Sequence, residues 1–550
     1  MMTSSTATGQ SVIDYHERTK HHLHRYARSA GYMDWDSQPV PFRSYKGAPP
    51  VPLPLSTADP ALDYAQLYHP AIAAPTPFTQ ASIAKLMELS LGLSAWKAVP
   101  GQRWSLRINP SSGNLHPTEA HLMTIGVSDL SDGIYHYHPL HHTLETRALF
   151  PPAAVSAVTP HLAPPCLAIA LSSIFWRESW KYGERAYRYC QHDIGHALAA
   201  LSLAARLLGW RLVYQAAGDA DIADAFGFGR TLWPTQEAEE PALVAAVVPA
   251  TENHPPRVFP VAAVDILAAV DLTGRPNRLS ARHREWDIIP RTAAACRQPR
   301  GITPPPMPKD SRDTLPPSPA ATTAAAIIRQ RRSAQAFDPD RQLDRDAFLA
   351  MLDRTVPRRD CPPFDAAIGP TRISLVLYVH QVMGIPPGCY AFIRHPDHLS
   401  DLRAATSPSF AWTPVTPDVP LYLLTPGDVR AEAIDLSCRQ EIAGFSTFSL
   451  GMLARFESEV RHTPWIYRHL FWEAGMIGQV LYLEAEARGV RGTGIGCYFD
   501  DAVHAQLGLQ DRSWQSLYHF TVGFPVEDPR LQTLPPYSHL PPERPLHAQG

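Results

Sequence analysis

Apolar residues fall into two kinds of period along this chain, and the two kinds recur twice. Residues 82–93, SIAKLMELSLGL, place Ile83, Leu86, Met87 and Leu91 at helical spacing. Residues 121–127, GIYHYH at 133–138 and LAIAL at 167–171 predict strands. Residues 189–209, YCQHDIGHALAALSLAARLLG, predict a long apolar helix ended by glycine. A second series follows a proline-rich segment, GITPPPMPKDSRDTLPPSPA at 301–320, which reads as a semi-rigid linker. In it, helices are expected over 324–335 and 344–355 and strands over 373–379, 388–393 and 421–425. A long helix is expected over 473–488, with a Gly-rich turn after it.

The two series match as copies. At an offset of 280, Tyr187 meets Tyr467, Arg188 meets Arg468, Gly195 meets Gly475 and Leu201 meets Leu481. Leu203, Ala205, Gly209 and Arg211 then meet Leu483, Ala485, Gly489 and Arg491. A tandem duplication follows, a homodimer fused into one chain. The expected division is an extension over 1–55, a first domain over 56–300, a linker over 301–324, a second domain over 325–535 and a tail over 536–550.

Composition narrows the classes. A chain of 550 residues is too long for one core. Apolar content of 45% with a net charge of -3 describes a globular protein with no electrostatic footprint for nucleic acid or acidic membranes. The 56 prolines are roughly twice the usual share and belong to loops and linkers. Seven cysteines, an odd count without a C-x-x-C pair, argue against a disulfide framework and a cysteine zinc site. No stretch has the length of a membrane span and the N-terminus has no apolar signal core, so a soluble, cytoplasmic protein is expected. The extension carries His16, His21, His22 and His24 and reads as a solvated arm wrapping the first domain.

Candidate chemistry concentrates in a few stretches. RINPSSGNLHPTE, Arg107 to Glu119, holds Pro110, Ser111, Ser112 and Asn114 in a turn just before a strand. Such a turn has backbone N–H groups and short polar side chains free to grasp a flat, polar-edged ring. IIRQRRSAQAF opens the second series with Arg331, Arg332 and Ser333, two planar cations beside a hydroxyl that suit a phosphate. VRGTGIG puts Gly494, Ile495 and Gly496 after the long helix, where glycine lets backbone amides approach a ring or phosphate. It follows a helix and not a strand, so it does not read as a dinucleotide fingerprint.

RRS-x-x-x-F near a domain start, PSSGNLHP before a strand, GTGIG after the long helix and HFTVGFP at 519–525 together resemble the FMN-dependent nitroreductase family. The resemblance covers roughly residues 60–250 and 325–530. It implies an α+β fold, with two nitroreductase-like domains forming an intramolecular pseudo-dimer, each a mixed, largely antiparallel sheet flanked by helices. It also implies FMN held between protomers, one giving the Arg-Arg-Ser segment and the Gly-rich turn, the other the Pro-Ser-Ser-x-Asn turn. The first half keeps PSSGN but has RLVYQA at 211–216 and YHPAIAAP at 68–75 where the other motifs would stand. The second keeps RRS and GTGIG but has FDAAIGPTR at 364–372 in place of PSSGN. One complete FMN site and one vestigial site are therefore expected. The phosphate and ribityl end falls to Arg331, Arg332 and Ser333, and the ring to Ser111, Ser112 and Asn114. Arg107, Pro110 and Gly494 to Gly496 complete the set. Gln335 stands where the family often has a second Arg, and Arg530 is its candidate replacement.

WKYGERAYRY, residues 180–189, resembles the Lys-Tyr motif of the azoline dehydrogenase branch, the SagB-like enzymes of thiazole- and oxazole-modified peptides. Aromatising an azoline removes a proton and a hydride, so a base must face the flavin. Lys181 would be that base, with Arg185 and Arg188 as cations to lower its affinity for a proton and Tyr182 as relay. The plainer alternative is a charged helix start in which Glu184 pairs with Lys181 and Arg188 on the surface. His192 and His196, at i,i+4, are expected to pack or to join a polar network, since no third metal ligand follows. GDADIADAFGFG at 218–229 lacks the calcium-loop pattern and reads as a short helix. The resulting expectation is a dehydrogenase of a peptide or natural-product heterocycle, with a small-molecule or peptide substrate and a cyclodehydratase complex as candidate partner. An NAD(P)H-dependent nitro or quinone reductase and a flavin-less scaffold are the alternatives. The chain is expected as a monomeric pseudo-dimer or a homodimer of it.

Overall fold

Two helices of equal length, Ala186–Leu207 and Ile466–Ala487, cross at the centre of the computed structural model. It describes residues 2–55, 58–69, 74–162, 164–252, 255–306 and 322–541, with side chains from residue 8. Most of the expected linker (307–321), the end of the expected tail (542–550) and residues 70–73 of the YHPAIAAP stretch lie outside the described residues.

The first helix is rich in Ala and Leu, and the second carries Leu, Ala and Glu through its last turns, all strong helix formers. Both end alike: Gly209 and Gly489 each take φ +69°, which relieves the last carbonyls at a left-handed residue. At the second end the Gly489 N–H donates to Glu486 O at 3.1 Å and the Val490 N–H to Ala485 O at 3.1 Å. The helices cross at their equivalent glycines. A Cβ on Gly195 would lie 2.8 Å from Trp472 Cα, and one on Gly475 would lie 2.9 Å from Gly195 Cα. Only glycine at both positions lets the backbones meet this closely. Both helices begin earlier in the chain than the apolar periodicity indicates, because their first turns carry arginines and aromatics that the fold buries.

Each long helix lies against a seven-stranded sheet in which every pairing is antiparallel. In the first half, six strands run spatially as Thr143–Leu149, Gly133–His138, Thr118–Ile125, Cys166–Ser173, Glu240–Pro249, Trp210–Gln215. In the second, the order is Leu421–Pro426, Gly388–Phe392, Ile373–Val379, Phe448–Arg455, Trp514–Gly523, Arg491–Ile495. Numbered along the chain, both read 3-2-1-4-6-5. Only the added edge strands differ, Pro50–Pro52 and Thr413–Pro414.

One apolar core runs through both halves. Leu122 and Ile169 of one sheet, Leu377 and Leu450 of the other, and Leu201 and Leu481 of the helices all belong to it. Ion pairs repeat across the same boundary: Arg188–Asp500 at 2.8 Å is matched by Arg468–Asp219 at 2.9 Å. Burying such pairs is costly unless both partners are satisfied, so they hold the register of the halves as well as their contact.

The ends of the chain cross over. The strand Gln532–Leu534 joins the first-half hairpin Leu93–Val99/Gln102–Arg107. The N-terminal segment corrects the expectation of a solvated arm. It is a helix, Met2–Arg18, in which Gly9 lies against the Arg461 backbone of the second half. His16 and His21 are buried. Two other expectations change. The helix from Ala324 stops at Gln330, because residues after Arg331 run extended beside a strand edge. The Gly-rich stretch is that edge strand, Arg491–Ile495, and not a turn. No described helix is long and apolar enough to cross a membrane.

Candidate functional site

The hairpin Leu93–Val99/Gln102–Arg107 delivers the chain into the PSSGN turn, whose shape is held internally. Gly113, Asn114 and His116 have positive φ. The Ser111 hydroxyl accepts the His116 N–H at 2.8 Å, and the Asn114 amide donates to Ser105 O at 3.0 Å. Asn114 Oδ1 lies 2.9 Å from His116 Nε2. The turn is tied to the first long helix by Asp193, which accepts the Ser112 N–H and hydroxyl, both at 3.1 Å.

The second half meets this turn with an arginine-rich segment. Thr323 caps the helix Ala324–Gln330, and the following residues run along the edge strand. The Ala334 N–H donates to Gly492 O at 3.3 Å, and Thr493 Oγ1 to Ala334 O at 2.7 Å. The Ser333 hydroxyl is 2.9 Å from Tyr482 OH, which also accepts the Gly494 N–H at 3.0 Å. Arg331 reaches across the boundary and donates to Arg107 O at 3.1 Å and Ile108 O at 3.2 Å, its guanidinium 5.0 Å above the Tyr482 ring. Arg332 donates to Ser94 O at 3.0 Å.

Two connected chambers of about 280 Å³ each lie between these parts and share Pro110, Ser111 and Ser333. Such volumes together fall within the range of small-molecule and cofactor sites. The first is lined by Arg107, Asn114, Arg331, Arg332 and Gln335, with Lys97 at its wall. Among the described residues, Arg107, Arg331 and Arg332 form no ion pair with a carboxylate, and the Nε of each is buried without a partner. Burial lowers the proton affinity of all three, that of Arg107 and Arg332 to about 10. The chamber's lining carboxylates, Glu527 and Asp528, pair with Arg491 and Arg530, so the three guanidiniums leave it net positive, and a dianion entering it gains what the carbonyl contacts alone do not give.

The second chamber is lined by Ser112, Tyr182, Gly494, Ile495 and Gly496, with Tyr189, His196, Tyr518 and Cys497 around them. A Cβ on Gly494 would collide with Tyr518 OH, and one on Gly496 with the Tyr189 ring. Tyr518 and Tyr189 thus approach the backbone at these two positions too closely for any residue but glycine. Lys181 and Tyr182 end the helix Phe175–Tyr182 and sit over Gly113; a Cβ there would be 3.2 Å from Lys181 Nζ. Tyr182 is pushed well up from its ordinary value by burial.

Three sequence expectations are revised. Arg530 is 83% exposed, pairs with Asp528 at 2.7 Å and does not line either chamber. Arg185 and Arg188 do not attend Lys181: both are buried on Asp500, at 2.9 and 2.8 Å. Glu184 pairs with Arg18 at 2.7 Å, so its partner comes from the N-terminal helix. His192 stacks on Tyr518 and His196 Nε2 is 3.2 Å from Tyr518 OH, a polar and packing role.

The pattern reading missed Glu178 and Asp193, two carboxyls buried beneath the turn. Asp193 carried one signal, a charge inside an apolar helix; Glu178, in the polar FWRESWKY helix, carried none. Burial raises Asp193 to about 7; Glu178 is raised by burial first and then by the Asp193 charge. The folded chain thus holds the Asp193 proton more tightly than the unfolded chain. This contribution is full below about pH 4 and is lost as pH rises through about 7. Asp365, raised to about 6, acts in the same direction. Asp193→Asn is expected to flatten the fall in thermal midpoint between pH 5 and pH 8 relative to wild type, an effect on the order of a few kcal/mol. Parallel pH curves for the two proteins would show that Asp193 does not titrate in this window.

Among the described residues, the interface site related by the internal symmetry retains only a small space. Glu473, equivalent to Asp193, accepts the Arg372 N–H at 3.0 Å and also binds Arg394. Residues 364–372, which replace PSSGN, pack there with His469 around a space of about 20 Å³.

No family model matches the chain. A nitroreductase crystal structure from Anabaena variabilis superposes with a TM-score of 0.69 at 22% identity, covering 94% of this chain and 99% of that one. Two curated proteins match parts of the sequence. The trifolitoxin-processing protein TfxB of Rhizobium leguminosarum bv. trifolii is 30% identical over 159 residues, 26% of this chain. A nitroreductase-like protein of Methanocaldococcus jannaschii is 30% identical over 130 residues, 22% of this chain. The matches span 40% and 64% of those relatives' own lengths.

Proposed function

We propose that this chain, whose fold is that of the nitroreductases, is an FMN-dependent oxidoreductase with one flavin site between its halves, and that it dehydrogenates a heterocycle of a peptide or related natural product, azoline to azole. The observation that carries this reading is the cluster of Arg107, Arg331 and the half-buried Arg332, none of them in an ion pair among the described residues, at one end of the interface cleft. A phosphate monoester is the group that such a cluster suits, because the planar forks match its oxygens. Arg331, Arg332 and Ser333 would hold that phosphate, with Arg107 and Lys97 adding charge. The Ser111–Asn114 turn and the Gly494–Gly496 edge would flank the ring in the second chamber. Bound FMN would supply the hydride acceptor.

The protein's own residues would do the rest. Lys181 takes the ring proton, and Tyr182, whose burial keeps it protonated, donates or relays one. The tyrosines around the second chamber limit water. The likeness to a trifolitoxin-processing protein supports a processing role on such a natural product, and a cyclodehydratase complex is the partner proposed with it.

Titration with FMN and with riboflavin tests the site. One FMN per chain is expected. Arg332→Ala is expected to weaken FMN roughly 10- to 100-fold and to leave riboflavin unchanged. Equal losses for both flavins, or no loss, would remove the phosphate role. An azoline peptide should then lose two hydrogens by mass spectrometry. Oxidation of NAD(P)H with a quinone and no azoline turnover would replace the dehydrogenase by a reductase, and a chain that cannot take up FMN would be a scaffold.

A further inference from the structure

Beside the second chamber two cysteines, 59 positions apart in sequence, bring their sulfurs to 2.7 Å. Cys497 follows the edge strand Arg491–Ile495 and lines the chamber. Cys438 lies in the segment after the helix Arg430–Leu436, where Cys438 and Arg439 both hold positive φ, at 53° and 61°. Two consecutive side-chain-bearing residues in that region are unfavourable, and local bonds keep them there. Gln440 Nε2 donates to Ser437 O at 2.8 Å and to Cys497 O at 3.0 Å, and the Phe499 N–H donates to Leu436 O at 2.8 Å. The segment thus aims one thiol at the other.

The surroundings distinguish the two sulfurs. His21, from the N-terminal arm, accepts the Ala27 N–H at Nδ1 at 2.9 Å, which leaves the ring proton on Nε2, and this imidazole faces Cys497. Arg185 donates to the carbonyl of the neighbouring Gly496 at 3.2 Å. The Cys438 thiol, then His21 and Arg185, hold Cys497 below an ordinary thiol, while the Cys497 contact and burial push Cys438 up. Cys190, Cys296, Cys361 and Cys389 are buried. Cys166 is raised to about 11 by burial.

We propose that Cys438 and Cys497 are a reversible redox pair that takes hydroperoxides as its oxidant and closes to a disulfide beside the substrate chamber. The Cys497 thiolate attacks the peroxide, so that an S–O bond forms as the O–O bond breaks, leaving a sulfenic acid and an alkoxide or hydroxide that takes up a proton. Cys438 Sγ then attacks Cys497 Sγ, and the hydroxyl departs as water. Two thiols and one hydroperoxide become one disulfide, one alcohol (or water) and one water. The bond ties the Cys438–Gln440 segment to the end of the edge strand. The inference holds whichever cofactor occupies the cleft.

The test uses the reduced full-length chain, treated with equimolar hydrogen peroxide, alkylated and digested without reductant. The expected result is a peptide pair joined through Cys438 and Cys497 that dithiothreitol separates. In Cys438→Ser, Cys497 should stop at a sulfenic acid that dimedone traps; in Cys497→Ser, Cys438 should remain a thiol. Before oxidation, Cys497 should alkylate about tenfold faster than Cys438 at mildly acidic pH. Both residues remaining alkylatable after peroxide is consumed would overturn the proposal, as would a Cys497 sulfenic acid that persists in the wild-type chain or equal alkylation rates.

Discussion

Replacing Lys181 by alanine is expected to lower turnover of an azoline peptide roughly 10²- to 10⁴-fold while FMN affinity stays unchanged. The reason lies in how the lysine is placed. The helix Phe175–Tyr182 buries Trp176 and Trp180 with Ile174, Leu115 and Leu279, and this fixes which face its last turn shows. Gly183 ends it at φ +55°, where a Cβ would lie 2.6 Å from Ser29 Cα, so the chain turns sharply there. Lys181 and Tyr182 are left over Gly113, and the Tyr182 ring is 4.7 Å from that of Tyr189 in the chamber wall. Arg185 and Arg188, engaged by Asp500, are not available to replace the lysine. Lys181→Arg discriminates base from charge. A guanidinium keeps its proton, so this variant should be as slow as alanine although the charge is retained. Rates at the wild-type level in either variant would leave the proton transfer to another group.

Gly195→Leu, and independently Gly475→Leu, are expected to destabilise the chain by on the order of 3 kcal/mol and, with one core spanning both halves, to lower the thermal midpoint by roughly 3 °C. A side chain at either position must displace the other helix's backbone, which no rotamer change can relieve. Because each half supplies part of the cleft, separating the helices also moves Arg331 away from the Arg107 and Ile108 carbonyls it holds. FMN affinity should therefore fall together with stability. Gly489→Ala is the comparison. It has open space around it and strains only a positive φ, so about 1 kcal/mol is expected. Midpoints unchanged in both leucine variants would mean that the halves are not held together at this crossing.

The amino-acid pattern conveyed much of this in advance where neighbours along the chain carry the cause. Periodicity located the long helices, and their common glycine ends follow from the left-handed residue each needs. The offset that aligns Gly195 with Gly475 also aligns Arg188 with Arg468, and these proved to be the crossing point and the symmetric ion pairs. The division of motifs between the halves anticipated which residues meet: Asn114 and Arg332 line one chamber.

Other features had no local cause to read. Residues 331–335 continue a helical composition but run extended, because hydrogen bonds to the Gly492 edge are worth more there than another turn of helix. VRGTGIG has the composition of a turn but is an edge strand, since Trp514–Gly523 pairs with its inner side. Arg530 had a plausible partner in the cleft and a nearer one in Asp528. Asp193 and Glu178 acquire raised proton affinities only from burial, which no residue type states by itself. The order of elements, the duplication and the allotment of motifs are thus properties of the chain's own pattern, since each depends on residues a few turns apart. Which cleft stays open, which charges lack partners and which thiols touch depend on groups tens to hundreds of positions apart, and only the packed fold brings them within interaction distance.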